Sequence, residues 1–200
     1  MYSPFKFCDF CENSFFIAED NELSNLLCNF FEQKENDYLW KLNIHRQTTT
    51  YSLRNTESIM LRKLSLNKML KNTSEYNQVL DVEDSELIEK IPVFGELKEK
   101  FENIFKSKGV KKIEWGRIFF SKLLADSDID THIDEGKYFS HFDRFHFVIS
   151  SPENCIFHIR NEDLFLKPGG LYWVNNHVPH WLKNLGKTDR INLIFDARLE

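Results

Sequence analysis

Cysteine is scarce and scattered in this chain. Its four residues, Cys8, Cys11, Cys28 and Cys155, do not have the spacing of a disulfide framework. A chain of 200 residues can bury a proper apolar core as one large domain, or as a core with an appended subdomain, without such staples. Long apolar runs are missing too. No window of about eighteen apolar residues occurs, so no membrane partner is expected. The opening "MYSPFKFCDFCENSFF" has no basic region followed by a continuous apolar stretch, and the expectation is a soluble, cytoplasmic protein. A basic excess is also lacking. The net charge of −5 argues against nucleic acid as a partner. There is no internal repeat and no low-complexity tract. What is plentiful is aromatic: 14% of the chain, with nineteen Phe, which is the composition of a packed globule and not of a disordered segment.

Cys8-x-x-Cys11 is half of a zinc site, and Cys28 and His45 could complete a four-ligand set. No second pair at ribbon spacing follows, and a thiol pair in a reducing compartment is the simpler reading. A zinc module that binds nucleic acid has only this pair in its favour and the acidic balance against it.

Texture divides the chain into residues 1–105, a mixed α/β region, and 106–200, a β-rich core on which that region packs. Leu23, Leu26, Leu27, Phe30 and Phe31 fall on one face of a helix that Asp20 or Asn21 can cap. "QTTTYSLRNTESIMLRKL", residues 47–64, reads as two short strands around an Asn-Thr break. Residues 81–92, "DVEDSELIEKIP", read as a connector. A second helix is predicted from Phe94 through Phe105, ending near Gly109. Beyond it, "KIEWGRIFFSKLL", "RFHFVIS", "CIFHIR", "LYWVNN" and "RINLIFDAR" recur as short strands between turns such as Pro168-Gly169-Gly170. That spacing predicts a mainly β fold with flanking helices, a sandwich or a jelly roll.

Six of the seven histidines lie between 132 and 180, so chemistry is sought there. His132 and Asp134 share one side of an extended segment about 7 Å apart. A histidine from a distant strand, His177 or His180 in "NNHVPHW", would complete a set of two His and one carboxylate, the arrangement of non-haem Fe(II) oxygenases. If "NLGKTD" is a hairpin turn centred near Leu185, Arg190 comes level with His180, about 5 Å across the ladder. A planar guanidinium there could hold the far end of a dicarboxylate that chelates the metal. In "RFHFVIS", Arg144, His146 and Val148 share one face and Phe145, Phe147 and Ile149 the other, so the polar pair can face a cavity. The simplest alternative for Arg144 is a salt bridge to an acid such as Asp143. Bland readings suit the remaining histidines: His177 as a turn residue, His158 facing outward, His141 solvated. Trp173 and Trp181 read as core or cavity wall.

These residues resemble the aspartyl/asparaginyl β-hydroxylases, iron- and 2-oxoglutarate-dependent dioxygenases built on a double-stranded β-helix. The resemblance covers roughly residues 112–196. It rests on the serine of "FSKLLADSDIDTH" before the first histidine, on Arg144-Phe145-His146 as the family's Arg-x-His motif, and on His180 followed ten residues later by Arg190 in "RINLIFD". It implies a cupin-like jelly-roll core with Fe(II) on His132, Asp134 and His180. It further implies that Arg190 and Ser121 hold the far carboxylate of 2-oxoglutarate and that Arg144 and His146 contact its metal-proximal carboxylate. Animal members that hydroxylate epidermal-growth-factor-like domains have a glycine where this chain has Asp134, and a shorter interval between the first histidine and the Arg-x-His motif. The implied activity is hydroxylation of an amino-acid unit. Residues 1–105 hold no repeat to present a folded protein, and their helices and strand-like segments could cover the barrel mouth, which places a free amino acid or short peptide ahead of a protein. The rival is a non-catalytic, cupin-like metal-binding or sensing module.

Overall fold

From Ile113 to Leu199 the chain runs out and back as one long doubled ribbon. Its strands are β4 (Ile113–Leu123), β5 (Ser127–His132), β6 (Asp143–Ser150), β7 (Cys155–Ile159), β8 (Glu162–Leu164), β9 (Gly170–Val174), β10 (His180–Asn184) and β11 (Arg190–Leu199). The pairing is nested and antiparallel: β7 with β8, β6 with β9, β5 with β10, β4 with β11. Successive pairs fall alternately into two sheets, one containing β9-β6-β11-β4 and the other β5-β10-β7-β8. That is the double-stranded β-helix. The computed structural model describes residues 13–43, 51–65, 80–91 and 93–200. Cys8, Cys11 and His45, and with them the zinc-pair reading, lie outside the described residues.

The nesting corrects one expectation. β10 and β11 do not form a hairpin, because they belong to opposite sheets. His180 instead stands opposite His132 on β5, while Arg190 stands opposite Leu123 on β4. In a jelly roll, consecutive strands at the open end of the ribbon cross between sheets, so a ten-residue interval spans the barrel and not a ladder rung.

Strand β6 shows why simple hydrophobic alternation is hidden. Both of its faces are buried. Val148 packs with Leu123, Phe157, Val174 and Leu182 inside the barrel. Phe145, Phe147 and Ile149 point the other way, into a core closed by two helices, α1 (Asn21–Glu32) and α3 (Phe94–Ser107). Phe101 of α3 sits with its ring centroid 5.4 Å from that of Phe147 and 5.0 Å from that of Phe195. Phe105 meets Phe145 at 5.3 Å. Among the described residues, seven of the chain's nineteen Phe are buried in this core.

Both helices form where their sequence signals lie. The Asp20 carboxylate accepts a hydrogen bond from the Leu23 N–H at 2.8 Å, capping α1. Its other oxygen accepts from Lys100 on α3 at 3.2 Å, tying the two helices together. Helix α3 stops where Gly109 adopts φ 92°, which lets the Val110 N–H return to the Phe105 carbonyl. A short helix, α2 (Asp37–Trp40), follows α1.

The first half also enters the sheet. β1 (Ser14–Glu19) pairs with β9 at one edge, and β2 (Thr56–Leu64) pairs with β4 at the other, with β3 (Val82–Asp84) beyond it. Within residues 47–64, one strand forms where two were expected, preceded by a 3-10 turn at Tyr51–Leu53; residues 47–50 lie outside the described residues. The acidic connector is β3 plus a 3-10 turn, Glu86–Lys90, anchored by buried Leu87 and Ile91. No helix among the described residues is long and apolar enough to cross a membrane.

The helix-to-sheet core makes a direct prediction. Phe101→Ala should lower unfolding free energy by about 3–5 kcal/mol in urea titrations. Phe16→Ser, at a side chain that is 51% exposed, should change it by less than about 0.5 kcal/mol.

Candidate active site

Three potential ligands converge at one mouth of the barrel. His132 closes β5, Asp134 follows two residues on, and His180 opens β10 directly across the ladder. One ligand atom from each lies within 4.8 Å of the others, and the two imidazole centroids are 4.3 Å apart. Each ring is oriented by the backbone carbonyl two residues before it. His132 Nδ1 lies 2.8 Å from the Asp130 carbonyl oxygen, and His180 Nδ1 lies 2.9 Å from that of Val178. A carbonyl only accepts, so each Nδ1 carries the proton and each Nε2 presents a lone pair. Backbone acceptors behind ligating imidazoles are how metal sites fix a tautomer.

Asp134 is held on three sides. Its backbone N–H donates to the Asn176 carbonyl at 2.9 Å, and its Oδ2 accepts from Asn176 Nδ2 at 3.1 Å and from Arg144 Nη1 at 2.6 Å. That leaves Oδ1 without a partner among the described residues. Burial alone would raise the Asp134 carboxyl, but the Arg144 guanidinium, then His180 and Asn176, override it and hold the group at about 2. His180 is pulled down to about 4 by burial and by the neighbouring His132, against the opposing pull of Asp134. An ionised carboxylate and a neutral imidazole are the protonation states a divalent cation requires.

Behind the ligands, the recess runs between the two sheets and is lined by Ser121, His146, Arg190, Val174, Ile194 and Phe157, among others. Strand β11 reads along it: Arg190, Asn192, Ile194 and Asp196 alternate inward, all buried. Ser121 faces Asn192 across the ladder. Arg190 is only 6% exposed, and no carboxylate lies within 4 Å of its guanidinium among the described residues. The Asn192 amide, turned to satisfy both neighbours, puts its oxygen 2.7 Å from one terminal nitrogen of Arg190 and 2.5 Å from the other. Burial pulls the Arg190 guanidinium below its ordinary value. His146 is held well below its own, first by burial and then by the charges of Arg190 and Arg144.

Arg144 meets different acids from the one the sequence suggested. Its Nε and Nη2 donate to Asp196 at 2.8 and 3.1 Å, and its Nη1 donates to Asp134. Asp143 accepts from Trp173 Nε1 at 3.0 Å instead. Three of the five guanidinium N–H groups are thereby directed at carboxylates, on a side chain that lines the recess.

The remaining residues fall away from the ligands. His141 lies 3.1 Å from a Glu114 oxygen. His158 sits between Asp163 and the Arg160 carbonyl, at 2.6 and 2.7 Å, with its ring stacked 4.6 Å from Trp181. His177 lies in a turn, its N–H donating to Asn175 Oδ1. Trp173 is part of the helix-side core. Sequence reasoning missed Asn176, Asp196 and Leu53. Asp196 carried a readable signal, an acid in phase with Arg190 within an apolar strand. Leu53 reaches the recess from the turn before β2, and Arg54 beside it pairs with Asp130 and, at 3.6 Å, with Asp128 on β5. Nothing in its local sequence marks that role.

A jelly roll carrying a two-histidine, one-carboxylate mouth defines a class of metal-dependent oxygenase-like folds, and comparison with known proteins narrows it. The chain belongs to the aspartyl/asparaginyl β-hydroxylase family, whose model matches residues 78–199. No curated protein matches the sequence. In structure, the chain is similar to the viral collagen prolyl hydroxylase of Paramecium bursaria Chlorella virus-1 in its 2OG complex: TM-score 0.55, 10% identity, with 96% of this chain and 99% of that one covered. It is also similar to an oxidoreductase of the 2OG-Fe(II) oxygenase family from Burkholderia pseudomallei: TM-score 0.52, 10% identity, with 71% and 67% covered. At that identity the two structures speak to the fold alone.

The buried imidazoles give stability a pH dependence. As pH falls from the ordinary histidine value of 6.5 toward about 4, the unfolded chain takes up protons that folded His146 and His180 refuse. The unfolded state then binds more protons, and stability declines through that window. Asp134 acts lower, contributing stability above 3.8 that is lost toward about 2. Urea unfolding should therefore show lower stability at pH 5 than at pH 7, with a smaller drop in His180→Gln. Equal drops in the two proteins would contradict a buried neutral His180.

Proposed function

We propose that this protein is an Fe(II)- and 2-oxoglutarate-dependent dioxygenase that hydroxylates an amino-acid unit. The observation that carries the proposal is Arg190: a buried guanidinium with no carboxylate partner among the described residues, in the same recess as His132, Asp134 and His180. A desolvated cation without an anion is costly, and a bound carboxylate removes that cost. A metal-binding jelly roll without oxygen chemistry has no need of such a cation behind its metal.

In this reading His132 Nε2, His180 Nε2 and Asp134 Oδ1 would hold Fe(II), and the recess behind them would take 2-oxoglutarate. Ser121 and Arg190 take its far carboxylate. His146 and the N–H groups of Arg144 not directed at Asp134 and Asp196 meet its metal-proximal carboxylate. Asn192 orients Arg190 from behind. Iron and 2-oxoglutarate together supply the oxidising power, consuming dioxygen, releasing succinate and carbon dioxide, and placing one oxygen atom on a substrate C–H bond. The chain's residues position both and exclude water: Phe157, Val174, Leu123 and Ile194 make the recess walls apolar. Family membership supports an amino-acid side chain as substrate. Leu53, Ile129 and Trp181 among the lining residues favour a small group, so a free amino acid or short peptide is placed ahead of a folded protein.

Two outcomes are expected. His132→Ala and His180→Ala should each abolish succinate formation from 2-oxoglutarate by the iron-loaded protein, and retained turnover in both would refute the assignment. Arg190→Lys keeps the charge but loses the fork that binds a carboxylate twice. It should raise KM for 2-oxoglutarate by roughly tenfold or more while leaving the melting temperature nearly unchanged. A wild-type KM would place the anchor elsewhere.

A further inference from the structure

We infer that Asp196 is a positioning residue for the metal site, acting on Asp134 through Arg144. The inference rests on the reading of His132, Asp134 and His180 as iron ligands and assigns a role to a residue outside that set.

Asp196 is fully buried, at 0% exposure, and four donors converge on its carboxylate. Arg144 gives two, Nε to Oδ1 at 2.8 Å and Nη2 to Oδ2 at 3.1 Å. Arg117 Nε and the Tyr138 hydroxyl each donate to Oδ2 at 3.1 Å. Oδ2 receives three of these donors and Oδ1 one, so both oxygens of this fully buried carboxylate are engaged by the protein's own side chains. What it does is fix Arg144. A two-point contact along one edge of a guanidinium sets the plane of the group, and with Nε and Nη2 pinned, Nη1 points at Asp134 Oδ2, 2.6 Å away. The oxygen that Arg144 and Asn176 occupy determines which oxygen Asp134 has free.

The backbone is built for this aim. Asp196 stands opposite Arg144 on β6 and at the register shift between Phe195 and Ala197 against β4, a bulge of the kind that re-aims a side chain. Across from it β4 carries Gly116. A Cβ there would lie 2.4 Å from the Tyr138 hydroxyl and 3.1 Å from Asp196 Cβ, so the bare position admits both partners. The Tyr138 hydroxyl in turn accepts from the Arg117 N–H at 2.6 Å.

Charge gives the arrangement a second effect. With Asp196 present, the Arg144 cation is shared between two carboxylates. Without it, the whole charge would fall on Asp134 and compete with a divalent cation for the same acid. A buried ion pair is a weak source of stability, since desolvation offsets the attraction, so holding a ligand in place is the better account of this one.

The test is Mn(II) binding, followed by the loss of the free-ion electron paramagnetic resonance signal, without 2-oxoglutarate, alongside the melting temperature of each metal-free protein. Asp196→Asn should weaken Mn(II) binding by about 10–100-fold, the usual cost of losing an outer-shell partner. Arg144→Lys keeps the buried charge but cannot span both carboxylates. It should show the same loss, and it carries the test alone if Asp196→Asn does not fold. If both act along one path, the double variant should bind no more weakly than the worse single variant. Wild-type Mn(II) affinity in a folded single variant, with only the melting temperature lowered, would overturn the inference. So would losses that multiply in the double variant. Failure of the unmodified protein to bind Mn(II) would instead remove the iron-site reading on which the inference stands.

Discussion

Charge buried inside a barrel has to be balanced, and that constraint governs the arrangement described above. Three guanidinium groups, those of Arg117, Arg144 and Arg190, lie inside or at the mouth of the barrel, and two carboxylates, those of Asp134 and Asp196, accompany them. The acids face Arg117 and Arg144. Arg190 lies farther along β11 against the Asn192 amide, in a recess shared with Ser121 and His146, and has no carboxylate partner among the described residues. A metal at the mouth adds further positive charge, and a dianionic chelator is the kind of ligand that answers both the metal and Arg190 at once. Site and cofactor thus share one electrostatic problem, and the interior side chains of β11 span it from end to end.

The fold provides the rigidity that this balance needs. Nested pairing places β5 against β10, which brings two distant histidines into one rung. It also places β11 between β4 and β6, so Ser121, Asn192 and Arg144 reach the same interior from three adjacent strands. Outside, α1 and α3 press Phe31, Phe101 and Phe105 onto the back of that sheet. A strand buried on both faces has little freedom to twist, and side chains on such strands hold their geometry better than side chains on loops. The first half of the chain extends the same sheet at both edges and sends the turn at residues 51–55 to the outer edge of β5, where Arg54 pairs with Asp130. Asp130 is also the residue whose carbonyl orients His132.

Much of this was legible in the sequence, and the omissions have physical causes. The His-x-Asp pair and its distant histidine could be read from spacing, since extended segments present alternate residues to one side, whereas Arg190 could be read from family resemblance alone. The Arg144/Phe145 alternation correctly divided cavity from core. The supposed hairpin between His180 and Arg190 failed because local spacing cannot say which sheet a strand joins. In a jelly roll, neighbours in sequence are often partners in neither sheet. The partners of Arg144 were missed for a related reason. Asp143 is adjacent in sequence but points to the other face, whereas Asp196 is 52 residues away and directly opposite. Asn176 acts through its backbone carbonyl as well as its amide, and a backbone acceptor leaves no trace in a side-chain pattern.

The central claim is that one recess seats a metal and a 2-oxoglutarate together, with Arg190 as the inner anchor. Anaerobic titration of the Fe(II)-loaded protein with 2-oxoglutarate tests it most directly, because chelation of iron by the keto acid gives a weak visible charge-transfer band that neither partner has alone. The account predicts a band that grows and saturates at one equivalent of 2-oxoglutarate. Iron binding with no such band at any 2-oxoglutarate concentration would contradict it and leave a jelly roll that holds metal for another purpose.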